Sequence, residues 1–454
     1  MVNLNNDVLQ KLWGSFASLM LIAVLFVSSG CETEKPLPVS PDDPVVITDG
    51  EEDLVAKYNL QTLGPIPYPV DNPPMQERIA LGRLLFYDPI LSGEMTVSCG
   101  TCHHPEFGFG DNRQLPVGVD GVGLGPNRVF NWNRVGDPII LTPRNAPTCY
   151  NTAFNFGQNG QPSSDGLMFW DGRVSSLEIQ ATKPITSRVE MRGDAYGMDD
   201  EHAALVSLDS VITRLRSIPE YVTRFRDAFP EEAALLEPDD PSIIDSSTYA
   251  RSIAAFEREL VTRYSPYDNF VRGDKNALNE VQKQGLELFF TKAKCGDCHN
   301  GPMFSDFRFV INGVPQIGPG KDVLPGDDAG REEFSKNSAD RYKFRTPTLR
   351  NVELHPPYMH DGIFGSLREV VEFYNNGCNP RHPSITDDLM DPSVVQPLGL
   401  NDQEIDAIVE FMRALTDPGV ALEEYMLTVP QTVPSGLTPV FGLNDGMGSG
   451  KILP

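Results

Sequence analysis

Two pentapeptides, Cys99-Gly100-Thr101-Cys102-His103 and Cys295-Gly296-Asp297-Cys298-His299, repeat one spacing of two thiols and an imidazole. The CxxCH spacing suits covalent haem attachment: the thiols add to the two vinyl groups, and the histidine beside the second thiol reaches the iron. Such a chain has to fold around two flat, apolar prosthetic groups. Zinc would instead need four ligands converging on one ion, and a disulfide within each motif would leave both histidines without a task. Four of the 7 cysteines in 454 residues fall in this repeat, so two covalently bound haem c groups are the expectation.

The charge balance excludes one large class of function. With 63 acids against 37 bases the formal net charge is −26, and nucleic acid is an unsuitable partner because phosphate binding needs a basic face. The acidic surface suits solubility and the attraction of a small basic redox protein. At the N-terminus, Lys11 precedes an apolar run from Leu19 to Val27, followed by Ser28-Ser29-Gly30-Cys31. That run fits a signal-peptide core and is too short to span a bilayer. Cys31 after Ser-Gly has the form of a lipoprotein processing site, which implies a lipid anchor at Cys31 and a periplasmic or cell-envelope address. Residues 31–55, with Pro36, Pro38, Pro41 and Pro44 among acids, read as a linker.

Beyond the pentapeptides, the two halves of the chain echo one another. Gly82-Arg83-Leu84-Leu85-Phe86 is matched by Gly285-Leu286-Glu287-Leu288-Phe289, and Ala146-Pro147-Thr148 by Thr346-Pro347-Thr348. Trp170-Asp171-Gly172 is matched by His360-Asp361-Gly362. The offsets for the CxxCH, Pro-Thr and Asp-Gly pairs are 196, 200 and 190 residues, which predicts two domains from one duplicated unit. Helical periodicity dominates within each. Tyr249, Ile253, Phe256 and Leu260 form a stripe, Ser366 with Glu369 caps a helix carrying Leu367, Val370, Val371 and Tyr374, and Asn401 with Glu404 caps another carrying Ile405, Ile408, Met412 and Leu415. The expected fold is all-α: two cytochrome c-like haem domains with long irregular loops. The expected boundaries are 1–30 signal peptide, 31–55 linker, 56–275 N-terminal domain, 276–429 C-terminal domain and 430–454 tail.

These motifs, with Arg144-Asn145-Ala146-Pro147-Thr148, Phe169-Trp170-Asp171-Gly172-Arg173 and Pro357-Tyr358-Met359-His360-Asp361-Gly362, resemble those of the bacterial diheme cytochrome c peroxidases and their relative MauG. The resemblance implies a peroxidatic N-terminal haem that meets hydrogen peroxide and a C-terminal haem that passes electrons to it. It places Trp170 between the haems and Gln180 and Glu190 in the distal pocket. Glu190 is the candidate to move a proton between the two peroxide oxygens. The donor would be a small cytochrome c or cupredoxin. The alternatives are a MauG-like oxidase that modifies a partner protein, and a plain diheme electron carrier.

Both haems have His ligands in the motifs, His103 and His299, so their sixth ligands set the chemistry. Tyr374 lies fourteen residues after His360, where the resemblance implies methionine in the peroxidases and tyrosine in MauG. An anionic oxygen ligand would lower the potential of that centre relative to a thioether; Met359 and Met412 are the alternatives. The same count from Trp170 ends on Pro184, and no histidine occurs between His104 and His202, so the first haem is expected to be open. The resemblance also implies a calcium ion near Asn145 and Pro357, with His355 where threonine is common. Cys149 and Cys378 are left either as a disulfide or as two buried thiols.

Overall fold

The computed structural model describes residues 53–119, 121–131, 141–157, 160–197, 201–321, 326–417, 419 and 421–439. The signal-peptide reading, Cys31 and most of the linker lie outside the described residues, as does the tail from 440 onward. In chain order the helices are α1 (Leu54–Lys57), α2 (Gln76–Tyr87), α3 (Cys99–Cys102), α4 (Leu177–Gln180), α5 (Lys183–Thr186), α6 (Glu201–Arg216), α7 (Pro219–Ala228) and α8 (Pro230–Ala233). They continue with α9 (Ser246–Arg258), α10 (Pro266–Val271), α11 (Glu280–Phe290), α12 (Glu332–Ser335), α13 (Leu367–Asn375) and α14 (Asp402–Arg413). The two expected capping boxes form. Ser366 Oγ accepts from the Glu369 N–H at 3.2 Å while Glu369 returns to Ser366, and Asn401 does the same with Glu404 at 3.0 Å.

Each CxxCH segment follows a helix that crosses a later one through a glycine. In the first half α2 packs on α9, and Phe86 meets Phe256 edge-on at 5.2 Å between centroids. A Cβ on Gly82 would sit 1.9 Å from the Ser252 carbonyl oxygen, so only hydrogen fits at that crossing. In the second half α11 packs on α14, Phe289 meets Phe411 edge-on at 5.2 Å, and a Cβ on Gly285 would sit 1.9 Å from the Ala407 oxygen. Gly285→Ala is therefore expected to destabilise the protein by about 1–3 kcal/mol through overpacking, even though alanine is the better helix former by about 1 kcal/mol. Thermal denaturation of the holoprotein measures this.

The stripe expected on α9 is buried throughout, with Tyr249, Ile253, Phe256 and Leu260 at most 1% exposed. Leu260 lies beyond the helix end at Arg258 and keeps its place in the core from the following turn. Two large apolar clusters form. One gathers α2, α6, α7 and α9 around Leu85, Phe86 and Phe225, the other α10, α11 and α14 around Leu286, Phe289 and Phe411. The first and last described segments cross between them: Leu60 joins the second cluster with α1 packed against it, whereas Met426 and Val429 join the first. Arg83 donates to the Thr428 carbonyl at 2.7 Å and Ser435 to Asp88 at 2.7 Å, so the C-terminal segment lies along the N-terminal core.

A strictly all-α fold needs amendment. The described residues include four two-stranded ladders: β1 (Gly121–Val122) with β2 (Val129–Phe130), β3 (Leu167–Met168) with β4 (Val174–Ser175), β5 (Phe309–Val310) with β8 (Phe344–Arg345), and β6 (Gly320–Lys321) with β7 (Asp327–Asp328). The last pair is parallel and the others antiparallel. Each strand is two residues long, too short for a period-2 pattern to register in the sequence. The fold is predominantly helical, with loops pinned by these ladders.

Candidate active site

The two CxxCH segments are presented in the same way. α3 carries Cys99 to Cys102, and its Gly100 lies under the Tyr87 ring, where a Cβ would come within 2.4 Å. Gly296 lies likewise under Phe290, at 2.3 Å. His103 donates from Nδ1 to the Phe109 carbonyl at 3.1 Å, and His299 from Nδ1 to the Phe304 carbonyl at 2.9 Å. Holding Nδ1–H on a carbonyl leaves the Nε2 lone pair for a metal and raises its basicity. Burial lowers the pKa of both imidazoles, which keeps them neutral as ligands must be.

A single cavity of about 320 Å³ is lined by both histidines. Cys295, Cys298, Trp170, Gln180, Asn145, Pro357 and Tyr374 line it too, whereas Cys99, Cys102 and Glu190 do not. Two loops frame it. Thr148 donates to the Gly108 carbonyl at 2.8 Å, and Thr348 to the Met303 carbonyl at 2.6 Å. Just beyond them Asn151 and Asn351 both take the left-handed conformation, at φ 61° and 58°, and both side-chain amides donate to the same Thr262 hydroxyl at 2.7 Å. Thr262 thereby ties the two CxxCH-bearing halves at one point.

Trp170 bridges the halves. Its indole N–H donates to the Asn145 carbonyl at 3.0 Å, and its own carbonyl accepts from the Arg345 N–H at 2.8 Å. Beside it, buried Asp171 holds Arg144 at 2.6 Å and Arg173 at 3.0 Å, and Arg144 also binds Asp328 at 2.8 Å. Burial raises the Asp171 carboxyl, but these guanidiniums outweigh it and hold it at about 2.

The distal candidates separate. Gln180, the last residue of α4, lines the cavity and carries a buried Oε1 with no hydrogen-bond partner among the described residues. An orphaned acceptor of this kind fits a site completed by a bound group. Glu190 sits outside the cavity wall on a π-helical turn, Arg188–Arg192, against which Gly118 packs so closely that a Cβ would be 2.4 Å from the Glu190 carbonyl oxygen. Burial raises its carboxyl, opposed by Arg173 and Lys321, and its charge acts on the Cys99 and Cys102 thiols. It therefore stands close to the first attachment site.

At the second site the Tyr374 hydroxyl accepts from Asn312 Nδ2 at 3.0 Å, and burial pushes its pKa up. Met359 and Met412, the rival ligands, line the cavity as well. Cys149 and Cys378 are free thiols, each buried and in a different apolar cluster, so the disulfide alternative is set aside. Asn145 donates from Nδ2 to the carbonyls of Arg113 and Gln114, at 2.7 and 3.3 Å. That turns its Oδ1 away as a candidate oxygen ligand for a hard cation. His355 lies in the cavity wall, and burial pushes it down to about 4, opposed by the Phe107 backbone.

Three cavity residues that sequence reasoning missed bear on the chemistry. Arg345 precedes the second Thr-Pro-Thr and occupies the position that Asn145 holds in the first loop, a signal the internal echo already carried. Asn312 belongs to no motif. Glu257 faces inward from α9, and burial raises it to about 8.

The family model for di-haem cytochrome c peroxidase matches residues 76–276. Over 385 residues the chain is 34% identical to "Methylamine utilization protein MauG" of Methylorubrum extorquens, covering 84% of this chain and 89% of the relative. The chain belongs to the di-haem cytochrome c peroxidase and MauG family. It is likewise 34% identical over 316 residues to "Cytochrome c551 peroxidase" of Pseudomonas aeruginosa, covering 69% of this chain and 77% of the relative. A solved "MauG-like protein associated with microbial copper homeostasis" superposes with a TM-score of 0.61 at 28% identity, over 81% of this chain and 95% of that one. This di-haem peroxidase-family chain is an oxidoreductase acting on peroxide, and membership implies two c-type haems. The paired histidines, each held by Nδ1 on a backbone carbonyl beside one shared cavity, fit that cofactor. Among the described residues no helix is long and apolar enough to cross a membrane.

Proposed function

We propose that this chain is an exported peroxidase that reduces hydrogen peroxide to water at the first CxxCH haem, with electrons drawn from a small redox protein through the second. The observation that carries this reading is the shared cavity with His103 and His299 in its wall and Trp170 hydrogen-bonded to the loop of each half. When bound, the haems supply the redox chemistry of O–O cleavage. Gln180 Oε1 accepts a peroxide O–H and orients it. Glu190, outside the cavity wall, takes the proton from the near oxygen and returns it to the far one through a bridging water. Trp170 is the aromatic step between the halves. Pro184, in α5, has no group to bind iron, which supports an open first haem.

Tyr374 would supply an oxygen ligand to the second haem, with Asn312 donating to that oxygen and favouring its anionic form. This favours a second reading, in which the oxidising equivalents modify a partner protein, as the resemblance to MauG implies. A calcium ion held by Asn145 Oδ1 and the Pro357 carbonyl, a lipid anchor at Cys31 and a periplasmic address belong to the same proposal. So does an origin by duplication, supported by the matched helix crossings and loops, with domains at 56–275 and 276–429.

Electron paramagnetic resonance of the resting holoprotein tests the proposal. One high-spin and one low-spin ferric signal are expected, with the high-spin signal lost on adding peroxide. Two low-spin signals indifferent to peroxide would overturn it in favour of an electron carrier. Peroxide consumption with reduced cytochrome c or cupredoxin, against mass changes in candidate proteins, separates the two enzyme readings.

A further inference from the structure

Arg345, the second residue of β8, lines the cavity and makes no carboxylate contact among the described residues. Its Nε donates to the Phe169 carbonyl at 3.2 Å, and its guanidinium carbon lies 5.3 Å from the centroid of the Phe307 ring. The charged group that favours its cationic form is Asp171. Asp171 is already shared among Arg144 at 2.6 Å, Arg173 at 3.0 Å and Lys321 at 4.0 Å. Asp328 is taken by Arg144 through both Nε and Nη2. Around this seam Arg144, Arg173, Lys321 and Arg345 thus face two carboxylates. Glu190, which feels Arg173 and Lys321, accounts for one more cation when ionised. Even then one positive charge is left over among the described residues.

The other acids in the cavity wall do not supply the missing anion. Glu257 is raised to about 8 by burial and is largely protonated at neutral pH. Asp391 is engaged by the Ser393 hydroxyl and N–H and lies beside Arg308. A buried cation without an anion is strongly disfavoured, so the cavity calls for a negatively charged group from its occupant. Arg345 also stands at the second attachment site. Two residues on, the Pro347 carbonyl meets the His299 ring, and the Phe307 beneath the guanidinium follows Asp306, whose N–H binds the Cys298 carbonyl at 2.8 Å.

We propose that Arg345 anchors a carboxylate of the porphyrin at the second CxxCH segment, a haem propionate lying beside Trp170. This rests on the two-haem reading and adds to it a charge partner. The first half has neutral Asn145 at the matching position, so the effect belongs to one haem. Planar, two-pronged recognition of a carboxylate is what guanidinium does best, and a cation there favours the reduced iron, opposing an anionic axial ligand.

The test uses holoprotein of the natural chain, Arg345→Gln and Arg345→Lys. Haem content is measured first: fewer than two haems in the natural chain would sink the two-haem reading itself. With two present, spectroelectrochemical titration of Arg345→Gln is expected to lower the midpoint potential of the second haem and leave the first in place. Arg345→Lys should restore most of the potential while still shifting the propionate bending band in resonance Raman spectra, because it keeps the charge and loses the fork. If Arg345→Gln does not accumulate, the Raman shift in Arg345→Lys decides alone. An unmoved second-haem potential in Arg345→Gln, or an unmoved propionate band in Arg345→Lys, would overturn the proposal.

Discussion

Exchanging Glu190 for glutamine is expected to slow peroxide turnover by about 10²–10⁴-fold, the usual worth of a positioned proton carrier, with both haems still attached. The variant keeps the shape of the side chain on its π-helical turn, where Gly118 packs against the backbone. Loss of rate would therefore report lost proton transfer and not a collapsed site. The pH dependence has a defined sign. Burial raises the Glu190 carboxyl above its ordinary value, with Arg173 and Lys321 opposing. A base works only when ionised, so kcat/KM should climb with pH along a limb displaced above the usual carboxylate range. That limb should vanish in Glu190→Gln. Stopped-flow measurements across pH settle both points, and a limb that survives would move the proton carrier elsewhere, with Glu257 the next buried acid.

Replacing Tyr374 by methionine should raise the potential of the second haem by on the order of 0.1 V or more, within the roughly 0.8 V that axial ligation spans. A thioether lacks the negative charge with which a phenolate stabilises the oxidised metal. Tyr374→Phe should instead leave that iron without its sixth ligand and convert its low-spin resonance to high-spin. Asn312, which donates to the Tyr374 oxygen at 3.0 Å, then loses its acceptor. A potential and spin state unchanged in both variants would assign the sixth position to Met359 or Met412, which share the cavity wall.

Much of the scaffold was readable from local chemistry. The Ser366 and Asn401 caps, the buried face of α9 and the CxxCH segments depend on neighbours within a turn or two, and each appears where expected. What the residues alone concealed depends on distance along the chain. Thr262 receives Asn151 and Asn351 from opposite halves, and no periodicity marks a hydroxyl as a meeting point. Asn312 reaches Tyr374 across 62 positions. Arg345 was visible as a residue but not as an unanswered charge, because that depends on Asp171 being already occupied. The ladders escaped notice because two-residue strands are held by loop geometry rather than by side-chain alternation. Glu190 was placed among distal groups by resemblance, and it does not line the cavity that Gln180 lines.

The crossing of the first and last described segments changes what a cut would do to this molecule. Because Leu60 belongs to the core built by the later helices and Met426 and Val429 to the core built by the earlier ones, each half wears a strap supplied by the other. A protease nicking the connection between α9 and α10 would leave two fragments still buckled together. Neither half expressed by itself would have its full apolar surface covered, so the electron route proposed through Trp170 would come only with the whole clasp.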